Sequence, residues 1–151
     1  MSADDLKAFA AFADLSEGER AEVADLLEER ELAPGETLFV EGDEADALVL
    51  VREGSLRVSS RRTRDAANLG SGSVVGGLAL FTVGARAVTA EGAERADVLL
   101  LRREDFLRFS EDSPRAALRV ATALVGELAA QAHAVIETLA PASVDRAPRG
   151  E

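Results

Sequence analysis

Val74-Val75-Gly76-Gly77-Leu78-Ala79-Leu80-Phe81-Thr82-Val83-Gly84-Ala85-Arg86-Ala87-Val88-Thr89 places one arginine behind a small-residue turn and a short apolar segment. Consecutive backbone N–H groups at a tight turn or helix N-terminus leave donors pointing outward. An arginine fork beside them supplies charge-assisted, often bidentate hydrogen bonds to a small anion such as phosphate. Arg86 is therefore the first candidate for ligand contact. The plain alternative is a β-turn with a surface arginine, because glycine-rich turns beside an arginine are common.

Upstream run Ala33-Pro34-Gly35-Glu36-Thr37-Leu38-Phe39-Val40-Glu41-Gly42-Asp43 and then Ala47-Leu48-Val49-Leu50-Val51-Arg52-Glu53-Gly54-Ser55-Leu56-Arg57-Val58. Taken with the first stretch, these resemble the cyclic nucleotide-binding domain family over roughly residues 9–139. In that family, glycines at the places of Gly35, Gly42 and Gly54 mark strand corners of a small β-roll. Its phosphate-binding cassette is matched without a gap by Val75-Gly76-Gly77-Leu78-Ala79-Leu80 and Ala85-Arg86-Ala87-Val88-Thr89. The resemblance implies a cyclic nucleotide ligand, cyclic AMP or cyclic GMP, with no required cofactor. Arg86 would meet the cyclic phosphate, the backbone around Gly76, Gly77, Leu78 and Ala79 would donate to phosphate or ribose, and Ala87 and Thr89 would lie close by. Val75 and Leu80 would line the pocket or pack beneath it.

Two positions depart from the family pattern. Gly77 stands where the family has a glutamate that accepts a hydrogen bond from the ribose 2′-hydroxyl, and Ala85 replaces a proline. A hydrogen bond to a charged acceptor contributes about 1.5–3 kcal/mol, which corresponds to about 10- to 150-fold in dissociation constant. The resemblance thus implies weak nucleotide binding. Glu91 and Glu94, downstream, are the other acids considered for the sugar.

The rest of the chain reads as helices around a β-roll. Leu6, Phe9 and Phe12 share one face of an N-terminal helical region. Ser16 and Glu19 have capping-box spacing, and Val23, Leu26 and Leu27 carry helical periodicity to about Arg30. Strand-like runs follow at 38–40, 48–51, 56–58, 67–69, 87–90 and 98–101, separated by glycine- or aspartate-rich turns. The expected fold is mainly β with flanking helices, a cyclic nucleotide-binding-type β-roll (a double-stranded β-helix, jelly-roll-like). Its divisions are N-terminal helices at 1–30, the roll at 31–102 and C-terminal helices at 103–139, with a disordered tail at 140–151.

Residues 103–109 suggest a short helix, and Ser113-Pro114 pairs a good N-cap with proline at the first helical position. In the long helix that follows, Leu118, Ala121, Val125, Leu128, Ala132, Val135 and Leu139 alternate steps of three and four. This seam can serve the chain's own sheet, a second copy, or partly both. A homodimer is the favoured expectation.

Composition narrows the chemistry. The 151 residues contain no cysteine, which excludes disulfides, thiolate metal sites and a cysteine nucleophile. His133 is the only histidine, so a multi-histidine metal centre is not available and no metal is expected. Aromatic residues are phenylalanine only, leaving no Trp or Tyr to stack on a base. The formal charge of −11 argues against nucleic acid or an anionic membrane as partner. The Arg61, Arg62 and Arg64 cluster falls at a hairpin tip, and Asp43, Glu44 and Asp46 in a turn. With no long apolar run and an acidic N-terminus, a cytoplasmic location is expected.

These observations leave two functions, both non-catalytic. One is a regulatory module that binds a cyclic nucleotide or related phosphate weakly through Arg86 and relays it to a separate effector protein. The other is a ligand-free dimeric adaptor whose pocket is vestigial. Bacterial transcription factors of the family carry a helix-turn-helix domain after the long helix; only a short polar stretch follows here, so no DNA binding is expected.

Overall fold

A computed structural model describes the backbone of residues 3–146 and the side chains of residues 3–130. A 3-10 turn, Ala3–Ala8, leads into α1 (Ala10–Ala13) and α2 (Glu17–Leu26). Leu6, Phe9 and Phe12 are all fully buried. The capping box forms: Glu19 N–H donates to Ser16 Oγ at 3.1 Å, and Ser16 N–H donates to Glu19 Oε1 at 2.9 Å. That backbone bond, helped by Arg119, holds the Glu19 carboxyl below the usual carboxylate range.

α2 stops at Leu26, short of the expected Arg30, and the chain enters β1 (Glu28–Leu32). Apolar periodicity does not mark this strand, since only Leu32 is buried. Its charged side chains instead pair outward: Arg30 with Glu28 at 2.9 Å, Arg52 with Glu29 at 3.1 Å, and Arg95 with Glu31. The first strand therefore begins at residue 28.

The remaining strands are β2 (Thr37–Phe39), β3 (Glu44–Ala45), β4 (Ala47–Glu53), β5 (Ser55–Ser59), β6 (Ala66–Gly70), β7 (Val74–Val75), β8 (Gly84–Ala85), β9 (Thr89–Gly92) and β10 (Ala96–Arg102). They form antiparallel sheets in the orders β1-β10-β4-β7 and β2-β9-β5-β6, with β3-β8 as a two-stranded ribbon. The fold is mainly β with flanking helices, a β-roll. Gly54 shows why glycine turns its corners: it sits at φ 76°, and a Cβ there would overlap the Arg95 carbonyl.

β4 and β10 are buried on both faces, which explains why they read as unbroken apolar runs and not as alternation. Leu48, Leu50, Leu99 and Leu101 face the helices, packing with Phe12, Phe106 and Leu124 among others. Val49, Val51, Val98 and Leu100 point the other way, into the roll with Leu32 and Leu56.

After the roll come α3 (Arg103–Asp112) and α4 (Pro114–Arg146). α4 docks through Ala116, Ala117, Val120 and Leu124, a stripe different from the heptad seam. Leu118 and Val125 of the seam are 66% and 58% exposed, and Ala121 and Leu128 are half-buried. Ala132, Val135 and Leu139, like His133, lie beyond the described side chains. The helix continues through residues 140–146, where a disordered tail was expected. Residues 147–151 of that tail fall outside the described ones.

Candidate functional site

β7 delivers the chain to Gly76, which adopts φ 78°. A Cβ at this position would overlap Nη1 of Arg86, so the glycine is required both by the left-handed backbone and by the guanidinium beside it. A 3-10 turn, Gly77–Leu80, follows, with Ala79 N–H donating to the Gly76 carbonyl at 2.9 Å. Gly77 and Leu78, at its start, have no acceptor for their N–H groups within the turn.

Arg86 comes just after β8, its backbone pinned to the acidic loop. Its N–H donates to the Asp43 carbonyl at 2.7 Å, and its own carbonyl accepts from Gly42 N–H at 2.9 Å. The side chain is only 8% exposed. Nη2 donates to the Ala47 carbonyl at 2.9 Å, and the guanidinium carbon lies 4.1 Å from the centre of the Phe39 ring. Nε and Nη1 are buried and donate to no acceptor among the described residues. Burial lowers the Arg86 pKa from the ordinary arginine value, while Asp46 and Asp43 act in the opposite direction. The result is a desolvated cation with two nitrogens that have no acceptor among the described residues. Such donors suit the oxygens of an anion.

A cavity of about 210 Å³ opens at this guanidinium. Gly76, Gly77, Leu78, Ala79, Arg86 and Ala87 all line it. Thr89 does not: its Oγ1 accepts from Glu41 N–H at 2.9 Å, tying β9 to the acidic loop. Val75 lines the cavity, whereas Leu80 is fully buried in the helix-side core. Strand β9 begins at Thr89, later than the expected residue 87, and Ala87 and Val88 before it belong to the cavity wall.

Phe39, Ala45, Ala85, Val88 and Leu128 complete the wall. Phe39 was legible as a strand residue, but no local signal fixed which face it occupies. Leu128 stood out only as a seam position. Glu91 and Glu94 are not in the wall; Glu94 instead accepts from Ser55 Oγ at 3.4 Å. A Cβ at Gly77 would meet Leu124 Cδ2 at 3.5 Å, ordinary contact, so the position accepts a side chain.

Arg103, at the start of α3, fastens this site to the helices. Its Nη1 donates to the carbonyls of Ala45, Ala79 and Thr82 at 3.0, 3.0 and 3.1 Å. Phe81, just past the turn, meets Phe106 of α3 edge-on at 5.5 Å. Of the clusters noted in the sequence, Arg61 N–H donates to Glu41 Oε1 at 2.9 Å, and Asp46 accepts from Arg102 at 3.2 Å. Among the described residues there is no group of histidine and carboxylate side chains able to hold a metal ion.

Fold and site together define a β-roll with a cassette-type pocket closed by one buried arginine. The family model for the cyclic nucleotide-binding domain matches residues 29–113. The chain belongs to the cyclic nucleotide-binding domain family. It is 33% identical over 105 residues to the cyclic AMP receptor protein of Thermus thermophilus, an alignment covering 66% of this chain and 49% of that protein. The chain thus spans about half the length of that curated relative. Among solved structures, the N-terminal domain of a transcriptional regulator from Streptomyces coelicolor A3(2) superposes with a TM-score of 0.75 at 29% identity, covering 87% of this chain and 95% of that one. A cyclic nucleotide-binding domain from Methylobacillus flagellatus reaches 0.80 at 17% identity, covering 92% and 83%, a likeness in fold alone.

Proposed function

We propose that this chain is a non-catalytic regulatory module that binds a cyclic nucleotide or related phosphate ligand weakly at Arg86 and passes the event to a separate effector protein. The observation that carries this reading is the pair of buried, unpartnered nitrogens, Nε and Nη1, on a guanidinium that lines the cassette cavity. The family's link to cyclic nucleotides supports the ligand class. Weakness follows from Gly77, which offers no carboxylate to a ribose hydroxyl. Relay runs through Arg103 and the Phe81–Phe106 contact, which join the cassette turn to α3, and through Leu128, which brings α4 to the cavity. A ligand shifts these elements only by as much as its affinity differs between their arrangements.

The exposed seam side chains Leu118 and Val125 support a homodimer through α4 as part of the same proposal. DNA and membrane are not partners in it, given the charge of −11, and the cytoplasm is its setting. Among the described residues no helix is long and apolar enough to cross a membrane.

Calorimetric titration with cyclic AMP, cyclic GMP and a cyclic dinucleotide tests the reading. Binding heat from at least one ligand that disappears in Arg86→Ala supports the module. Silence with all three favours the second reading, a dimeric adaptor with a vestigial pocket, for which Gly77 is the specific observation. Under the first reading, Gly77→Glu strengthens cyclic AMP binding by about tenfold or more.

A further inference from the structure

We propose that the cavity at Arg86 selects a small phosphate ester with an apolar body over a sugar phosphate. The inference rests on the reading that Arg86 holds an anion, and concerns what else that anion carries. Among the described residues that line the cavity, Arg86 is the sole polar side chain; Phe39, Val75, Leu78, Val88 and Leu128 supply much of the remaining wall.

A ribose brings hydroxyl groups that need partners once they leave water. Three polar side chains on the segments around Arg86 are engaged elsewhere. Thr89 Oγ1 accepts from Glu41 N–H, Asp43 Oδ2 accepts from Val40 N–H, and Asp46 pairs with Arg102. Position 77 contributes no side chain. Each hydroxyl buried without a partner weakens binding by about tenfold, whereas a ring or short alkyl group gains from the same wall.

Size leads to the same class. A volume of about 210 Å³ falls below the range of about 300–1,000 Å³ usual for ligand pockets. It suits a phosphate joined to one small ring better than a phosphate, sugar and base together. The aromatic wall residue, Phe39, has the Arg86 guanidinium against its ring.

Titration calorimetry of the full chain with phenyl phosphate, ribose 5-phosphate, inorganic phosphate and cyclic AMP decides the matter. Phenyl phosphate is expected to bind at least about tenfold more tightly than each of the others. Leu78→Ser, at a residue 54% exposed, is expected to lower the affinity for phenyl phosphate by a larger factor than that for inorganic phosphate.

Equal affinities for phenyl and inorganic phosphate overturn the selectivity, as does tighter binding of ribose 5-phosphate or cyclic AMP; in those cases Arg86 remains an anion site. Silence from all four probes, or binding that survives Arg86→Met, overturns the anion reading itself. Thermal unfolding run in parallel shows whether Arg86→Met is folded. Should it not be, Gly77→Glu decides instead. A narrowed or reversed gap between phenyl phosphate and cyclic AMP supports the proposal, and an unchanged ratio of their affinities overturns it.

Discussion

Arg86 is held at the cavity wall by three features: the Ala47 carbonyl takes one nitrogen, Phe39 supports the plane, and Gly76 keeps clear of Nη1. Gly76 is therefore as decisive as the arginine. An alanine there must adopt a left-handed backbone, at about 1–2 kcal/mol, and must also displace the guanidinium. Gly76→Ala is expected to remain folded with a lowered denaturation midpoint, and to lose anion affinity by about tenfold or more through the misplaced fork. Unchanged affinity measured by calorimetry would show that Nη1 has no part in binding. Gly77 differs from its neighbour, since its Cβ position is open. The two adjacent glycines look alike in sequence, and only their surroundings separate a structural requirement from a chemical loss.

At the scale of elements, Arg103 joins α3 to the cassette turn and to β3 through three carbonyls. Arg103→Met retains the stem and removes those donors. It is expected to cost about 2–3 kcal/mol, read as a lower urea midpoint at unchanged slope. The same variant should weaken any Arg86-dependent binding, because Ala45 and Ala79 belong to the cavity wall. Affinity and stability both at wild-type values would mean that the latch is dispensable.

Elements with a strong local signature were legible in the chain: the Ser16–Glu19 box, the Ser113-Pro114 helix start, and the apolar strands β4 and β10. The glycine turn and Arg86 stood out through the resemblance to the family's cassette more than through their own pattern. β1 was not, because a strand whose side chains pair as ions has no hydrophobic period to detect. β3, β7 and β8 span two residues each, too short for any periodicity. The cavity's distant wall, Phe39 and Leu128, depends on how β2 and α4 pack, which no local pattern encodes.

For the whole molecule, the two stripes of α4 have different tasks. Ala116, Ala117, Val120 and Leu124 hold the helix to its own domain, while Leu118 and Val125 face outward. Sedimentation is expected to give a dimer, and Leu118→Glu with Val125→Glu is expected to give a folded monomer whose own core is untouched. A monomer in the parent chain would remove the dimer from the proposal. The sheet carrying β4 ends at β1, whose Glu28, Glu29, Arg30 and Glu31 are tied into ion pairs along its length. Exposed rims of sheets invite a neighbour's strand to join them, and lone charges are a common deterrent. On this rim the charges already have partners of opposite sign. A second copy's strand therefore meets, at β1, a rim of paired charges and not an apolar template.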